Sequence, residues 1–275
     1  MVVTPLVDSA KDIRKALVAA SKLTEYAASR VVRTIDGILC AAGRNGRLSI
    51  PSAGRVFVDE CFNASPGRYY AALAILRAER VFVYGDNRQI PPVVRADVPV
   101  MYDYIRYKHS MERWLNFRST PQVLACYSSH YGDRLRAVRK DTGTVSMQPS
   151  LECTIDPDGT RLLLVMYQAD KMKVRKLYPK YSADVRTVHE SQGKQADKVY
   201  LFNFETRAMA RDHPTYLFAK PAYVNVAISR ARNDFVYCFL SPHTDVVKEW
   251  IQRGASPALI KALTDVKSAG ESVVI

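Results

Sequence analysis

Four segments place chemistry-bearing side chains beside apolar runs. Val56-Phe57-Val58 delivers two adjacent carboxylates, Asp59 and Glu60. In nucleotide hydrolases such a pair divides the work: the Asp holds Mg2+ and the Glu orients or deprotonates the attacking water. Val83-Tyr84-Gly85 leads into Asp86-Asn87-Arg88-Gln89, which sets an acid and a neutral donor–acceptor on one loop. Thr187-Val188-His189-Glu190-Ser191-Gln192-Gly193 offers hydroxyl, amide and backbone N–H groups suited to a sugar, phosphate or nucleotide. Ala227-Ile228-Ser229-Arg230-Ala231-Arg232 closes an apolar stretch with two guanidiniums, groups that stabilise developing charge in phosphoryl transfer. Taken singly, each also reads as ordinary structure: an acidic turn, a Gly-Asp-Asn turn, a capped helix start and a surface arginine pair.

Groups so spaced need a scaffold that gathers strand ends. Apolar runs predict strands at Val2–Val7, Arg55–Asp59, Val81–Gly85, Leu162–Tyr167, Val199–Phe204 and Phe235–Leu240. They are continuous rather than alternating, as in strands buried on both faces of a parallel sheet. Ser65-Pro66, Thr120-Pro121, Ser241-Pro242 and Ser256-Pro257 predict helix starts, the last two helices ending before Gly254 and Gly270. This βαβα rhythm predicts a doubly wound α/β fold, whose ligands bind at the carboxyl ends of the strands. The pattern lapses between Tyr102 and Phe117, a boundary between two lobes at 1–115 and 116–260, with a tail at 261–275. Residues Arg139–Thr160 read as an insertion or surface hairpin.

The 275 residues are 48% hydrophobic and 24% charged, which excludes a disordered or collagen-like chain. No stretch approaches the ~18–20 apolar residues of a membrane span. Cys40, Cys61, Cys126, Cys153 and Cys238 form no CxxC pair, and Cys126 with His130 alone makes no tetrahedral site, so the cysteines read as reduced core residues. Forty basic against 27 acidic side chains leave a net charge of +13, a field that attracts polyanions. Aromatic and basic residues interleave at Tyr102, Tyr104, Arg106, Tyr107, Lys108 and Arg113, a pattern of single-strand tracks. A second basic run, Lys171, Lys173, Arg175, Lys176 and Lys180, reads first as a solvated helix face. Trp114 and Trp250 read as core.

In this order and spacing the four segments resemble superfamily 1 RNA helicases, and more narrowly the helicase domain of alphavirus-like positive-strand RNA virus replicases. The resemblance covers Val2 to Leu240. Val2-Val3-Thr4-Pro5 is similar to motif Ia and Val32-Arg33-Thr34-Ile35-Asp36 to the segment after it. Asp59-Glu60 matches motif II, Gly85–Ile90 motif III, Phe117-Arg118-Ser119 motif IV, Thr187–Gly193 motif V and Ala227–Arg232 motif VI. The resemblance implies two RecA-like lobes with an NTP between them and RNA across the top. It implies Asp59 for Mg2+, Glu60 for water activation, Gln89 as γ-phosphate sensor, and Arg118 and Arg230 as the arginines that reach the phosphates. Asp86, Gln192, Gly193 and Arg232 would join Asp59 around the Mg2+–ATP (or other NTP), while Thr4, Thr34, Thr187 and His189 would lie near the strand. It also implies single-stranded or duplex RNA and other replicase domains as partners. The implied location is the host cell cytoplasm, in membrane-associated replication complexes.

One departure stands out. No G-x-x-x-x-G-K-[ST] sequence, whose amides and Lys cradle phosphates, occurs in these residues. The expectation is a chain truncated ahead of its phosphate-binding loop. Its first lobe would then lack the P-loop strand and helix, leaving the sheet short and hydrolysis weak or absent. A catalytically inert RNA-binding or assembly module with the same fold is the competing reading.

Overall fold

The computed structural model describes residues 1–43, 52–92, 110–206, 215–265 and 272–274. The chain divides into two compact units, Met1–Tyr107 and Lys108–Ile275.

The first unit runs β1 (Val2–Thr4), α1 (Val7–Ala19), α2 (Glu25–Val31), β2 (Val32–Thr34), α3 (Ile35–Gly43), β3 (Arg55–Val58), α4 (Pro66–Ile75) and β4 (Arg80–Val83). The strands pair in parallel in the order β2-β1-β3-β4. Parallel neighbours need crossover connections, which the helices supply. Pro66 opens α4 because its fixed φ suits the first helical turn. Thr24 caps α2, its Oγ1 accepting from Ala27 N at 3.2 Å. Val3, Ile35, Ile38, Val56, Val58, Tyr69 and Leu76 form the core, each at most 2% exposed. Phe57 and Phe82 stand opposite each other on β3 and β4, stack at 5.0 Å between centroids, and stay 38% and 43% exposed. Among the described residues β4 has no strand on its outer edge.

The second unit runs β5 (Ser110–Glu112), β6 (Leu115–Asn116), α5 (Pro121–Tyr127), β7 (Arg136–Ala137), β8 (Thr144–Gln148), β9 (Arg161–Val165), α6 (Gln168–Leu177) and β10 (Val185–Thr187). It continues with β11 (Ala196–Asn203), α7 (Pro221–Ser229), β12 (Ala231–Phe239), α8 (Val246–Gly254), α9 (Pro257–Leu263) and β13 (Ser272–Val274). Five strands form an all-parallel sheet in the order β10-β9-β11-β12-β8. Its central strands are the continuous apolar runs, and Leu163, Leu164, Val199, Leu201, Phe202 and Phe235 are wholly buried. The pairs β13–β5 and β6–β7 make two small ribbons.

Three expectations are corrected here. Residues 144–148 are a strand of the main sheet, not part of an insertion or hairpin; β8 escapes the apolar criterion because, as an edge strand, it keeps part of its surface polar. Ser241-Pro242 does not open α8. The helix starts at Val246, where Asp245 Oδ1 accepts from Lys248 N at 2.9 Å, and the carbonyls of Ser241 and His243 instead receive Lys248 Nζ, each at 2.6 Å. Nor does α8 end before Gly254; it runs through that residue to a cap at Ala255, whereas the last helix does end before Gly270, at Leu263. All five cysteines are free thiols; Cys61, Cys126 and Cys238 are buried, Cys153 is half-buried and Cys40 exposed. Among the described residues no helix is long and apolar enough to cross a membrane.

Candidate functional site

The carboxyl end of the first sheet collects the candidate residues of the first unit. Thr4 and Thr34 close neighbouring strands in register. Thr4 is wholly buried, its Oγ1 accepting from Leu6 N at 3.4 Å, whereas Thr34 Oγ1 accepts from Gly37 N at 3.0 Å and opens α3. Next to them β3 runs into Asp59, whose N–H donates to Val3 O at 2.9 Å and so extends the ladder by one rung. Burial raises the Asp59 carboxyl above the ordinary carboxylate range, against a backbone hydrogen bond from Glu60 that lowers it.

Glu60 turns the chain. Its φ of +52° is left-handed, a conformation that costs a residue with a Cβ about 1–3 kcal/mol and persists only where the surroundings fix it. The fixing contacts are visible: Cys61 N donates to Tyr84 O at 3.0 Å and Asn63 Nδ2 to Glu60 Oε2 at 3.3 Å. A short 3-10 turn over Cys61–Asn63 follows. The loop after β4 lies against this turn because residue 85 is glycine; a Cβ there would sit 2.9 Å from Cys61 Sγ and from a Phe62 ring carbon.

On that second loop Asp86 organises its neighbours. Its Oδ1 accepts from Arg88 N at 2.9 Å and its Oδ2 from Gln89 Nε2 at 3.3 Å. One of the two N–H groups of the Gln89 amide is thereby used, and its Oε1 is buried with no hydrogen-bond partner. A buried acceptor without a donor costs about 1–3 kcal/mol unless a group that carries a proton meets it. The second N–H of that amide is the donor that the γ-phosphate role expected of Gln89 would use.

In the second unit two distant segments are stitched together. Thr120 N donates to Arg232 O at 2.9 Å, Ser119 Oγ to Ala231 O at 2.9 Å, and Arg118 Nη1 to Ser229 O at 3.1 Å. Arg118 is partly exposed. Arg230 is 1% exposed, with Nε on Val226 O at 3.2 Å, Nη1 on Lys194 O at 3.3 Å and Nη2 on Ser229 Oγ at 3.2 Å. Both guanidiniums act on the buried Tyr127 hydroxyl: burial raises it, and the hydrogen bond with Ser119 and the two positive charges oppose that shift. Arg232 is separate, half-exposed and 3.9 Å from Asp197.

The segment after β10 is a reciprocal cap. Glu190 N donates to Thr187 Oγ1 at 3.2 Å, and Thr187 N donates to Glu190 Oε2 at 2.9 Å, the T-x-x-E capping box. Lys171 Nζ holds the same carboxylate at 2.8 Å. Burial would raise the Glu190 carboxyl, but Lys171 and the Thr187 amide outweigh it and hold it below its ordinary value. Glu190 was not among the expected site residues, although the spacing Thr187-x-x-Glu190 carries its signal. His189 is exposed, Gln192 is 4% exposed, and Gly193 takes a φ of +75° that lets the chain turn toward β11.

Of the expected tracks, Tyr102, Tyr104, Arg106, Tyr107 and Lys108 lie outside the described residues, and Arg113 is exposed. The basic run on α6 is partly spent: Lys171 pairs with Glu190, Lys173 with Asp170, and Lys180 lies 5.5 Å from the Tyr181 ring centroid. Trp114 is buried at 9% exposure, while Trp250 is partly exposed with His130 tilted over it at 5.6 Å. Among the described residues no three His, Cys, Asp or Glu side chains gather as a metal cage. The adjacent Asp59 and Glu60 suit an ion that takes one or two carboxylates and keeps its other ligands from water and substrate phosphates, the habit of Mg2+.

Comparison with known proteins covers most of the chain. The family described as "Viral superfamily 1 RNA helicase core domain" matches residues 4–239. The chain is 28% identical over 260 residues to Replication protein 1a of Brome mosaic virus, covering 87% of this chain and 25% of that protein. It is 29% identical over 232 residues to the Methyltransferase/helicase/RNA-directed RNA polymerase of Raspberry bushy dwarf virus, covering 78% of this chain and 13% of that protein. The chain thus spans about a quarter or less of these relatives' lengths. Among solved structures it is similar in fold to the Arterivirus nonstructural protein 10 helicase, with a TM-score of 0.52, 19% identity, and coverage of 86% of this chain and 52% of that one. The same helicase in complex with DNA gives a TM-score of 0.53, with 20% identity and coverage of 86% and 53%.

Proposed function

Because the chain belongs to the viral superfamily 1 RNA helicase core family, we propose that it is the motor part of a viral replication protein, hydrolysing an NTP to translocate on or unwind RNA. The observation that carries the proposal is the pairing of two acid-bearing loops at one sheet edge. Asp59 and Glu60 stand beside Asp86 and Gln89, and the last ends in a buried acceptor awaiting a proton.

Asp59 would hold Mg2+, which when bound offsets phosphate charge. Glu60, re-aimed by its left-handed backbone, would take a proton from the attacking water. Gln89 Oε1 would accept the other proton of that water and orient it. The second N–H of the same amide would remain for the γ-phosphate. Arg118 would present positive charge to the phosphates. Arg230, enclosed by carbonyls, fixes the Ser229–Ala231 segment on which Arg118 rests. Asp86 positions Gln89, and Gln192, Gly193 and Arg232 would meet the nucleotide from the second unit. Thr34, Thr187 and His189 would lie toward the RNA, while Thr4, wholly buried, would act by fixing the strand end beside Thr34.

These residues hold no G-x-x-x-x-G-K-[ST] sequence. We place the phosphate-cradling loop in a longer parent polypeptide, together with the other replicase domains, at cytoplasmic replication complexes on membranes. The same absence favours, for the chain by itself, a second reading as an inert RNA-binding module. Measuring NTP hydrolysis with and without single-stranded RNA, for this chain and for one extended upstream through that loop, separates them. RNA-stimulated turnover in the extended form, lost in Glu60→Gln, supports the motor. RNA binding by both forms with turnover in neither would replace it with the module.

A further inference from the structure

The first unit carries an aromatic–arginine surface that the hydrolytic chemistry does not use. Tyr26 on α2 is 72% exposed. Arg30, one turn on, lies with its guanidinium carbon 5.8 Å from the Tyr26 ring centroid, and its Nη1 donates to the Tyr26 hydroxyl at 3.4 Å. Arg33 follows, its Nε donating to Arg30 O at 3.4 Å, so the two guanidiniums succeed one another along the chain. Among the described residues neither forms an ion pair with a carboxylate, whereas Arg68, Arg134, Arg161 and Arg253 each do. Glu25, the one acid of α2, lines a groove with Arg14 and Lys15 instead.

An exposed ring with one cation beside it has its other face open to a flat partner, and guanidiniums that succeed one another along the chain suit consecutive phosphates. Single-stranded nucleic acid offers both at once: bases to stack and a phosphate on every nucleotide. The surface also leads somewhere, since Arg33 lies in β2 and the next residue is Thr34 at the strand's carboxyl end.

We propose that Tyr26, Arg30 and Arg33 bind single-stranded RNA, a base stacking on Tyr26 and neighbouring phosphates resting on the two arginines. The inference rests on the reading of the chain as an RNA-directed protein. The test is fluorescence anisotropy of the full chain with labelled dodecauridylate, and with oligo(dT) for comparison, over a salt series. Tyr26→Ala should weaken binding about tenfold while Tyr26→Phe retains it, as stacking requires. Arg30→Gln with Arg33→Gln should flatten the slope of log affinity against log salt by about 1.4, two phosphate contacts at roughly 0.7 each. A parent that binds and variants that match it would overturn this site and leave the RNA reading standing; a parent that does not bind would overturn both. If any variant loses its cooperative melt, photocrosslinking of 4-thiouridine RNA to the parent decides: a crosslinked peptide containing Tyr26 supports the site, and crosslinks confined elsewhere overturn it.

Discussion

Thr34 and Thr187 end edge strands of the same sequence, Val-Arg-Thr, and each hydroxyl accepts from the backbone N–H three residues on, Gly37 at 3.0 Å and Glu190 at 3.2 Å. One device is used in both units: the last strand residue caps the turn or helix that follows. Accepting that bond leaves each hydroxyl proton free to be donated outward, as contact with a phosphate oxygen requires.

Removing these caps should be costly and separable from chemistry. Thr34→Ala and Thr187→Ala are each expected to cost about 1 kcal/mol in urea unfolding, with Thr→Ser recovering most of it. Equal losses for Ser and Ala would mean that the methyl groups, not the caps, matter.

Gln89 should show function and stability pulling apart. Its unpartnered Oε1 is a liability in the folded state, so Gln89→Leu is expected to leave stability unchanged or raise it by about 1 kcal/mol. Scanning calorimetry of the chain, with hydrolysis measured in the extended form, checks both halves. Lost turnover together with a lowered Tm would count against the water-orienting role.

Asp59 gives a pH signature. Burial holds its folded pKa above the ordinary 3.8, so the native state binds the proton more tightly than the unfolded chain. This carboxyl therefore costs stability as pH rises from its unfolded value through its raised folded value, and the cost is complete at neutral pH. Asp59→Asn is expected to melt higher than the parent at pH 7, with the difference shrinking toward about pH 4. A difference independent of pH would place the effect elsewhere.

Tyr237 anchors the second unit. Its hydroxyl donates to Asp245 Oδ2 and accepts from Asn203 Nδ2 at 2.8 Å, while Asp245, 3% exposed, caps α8. Tyr237→Phe leaves a buried carboxylate short of a donor and should cost about 2–3 kcal/mol. In a chain of this size that lowers the melting point by roughly 4–12 °C, and a drop below 1 °C would show that the hydroxyl contributes nothing.

Much of this was legible in the residues. Continuous apolar runs marked the central strands β9, β11 and β12, since strands buried on both faces leave few polar positions. Short polar edge strands gave no such signal: β8 was missed, and β2 and β10 were legible only through the resemblance. Ser65-Pro66, Thr120-Pro121 and Ser256-Pro257 marked helix starts. Ser241-Pro242 failed because Asp245 is the better-placed cap and Lys248 claims the carbonyls before it. The acid pair at the end of β3 was visible as residues, but the left-handed turn at Glu60 and the orphaned Gln89 oxygen depend on tertiary contacts that no local pattern encodes. Arg230 read as a reactive group, and among the described residues it is also the largest of the fully buried side chains. Arg230→Ala would therefore open a cavity as well as remove a charge, and Arg118→Ala is the cleaner probe.

The stacked Phe57 and Phe82, beside an outer edge of β4 that has no strand partner among the described residues, bear on how the isolated chain behaves in a tube. Apolar rings in water next to unsatisfied strand amides are a template for intermolecular pairing. Sedimentation of the chain should thus depend on its concentration. A single lysine at Phe82 should restore concentration-independent behaviour without touching the acid loops, making that variant the practical starting material for crystallisation and binding work.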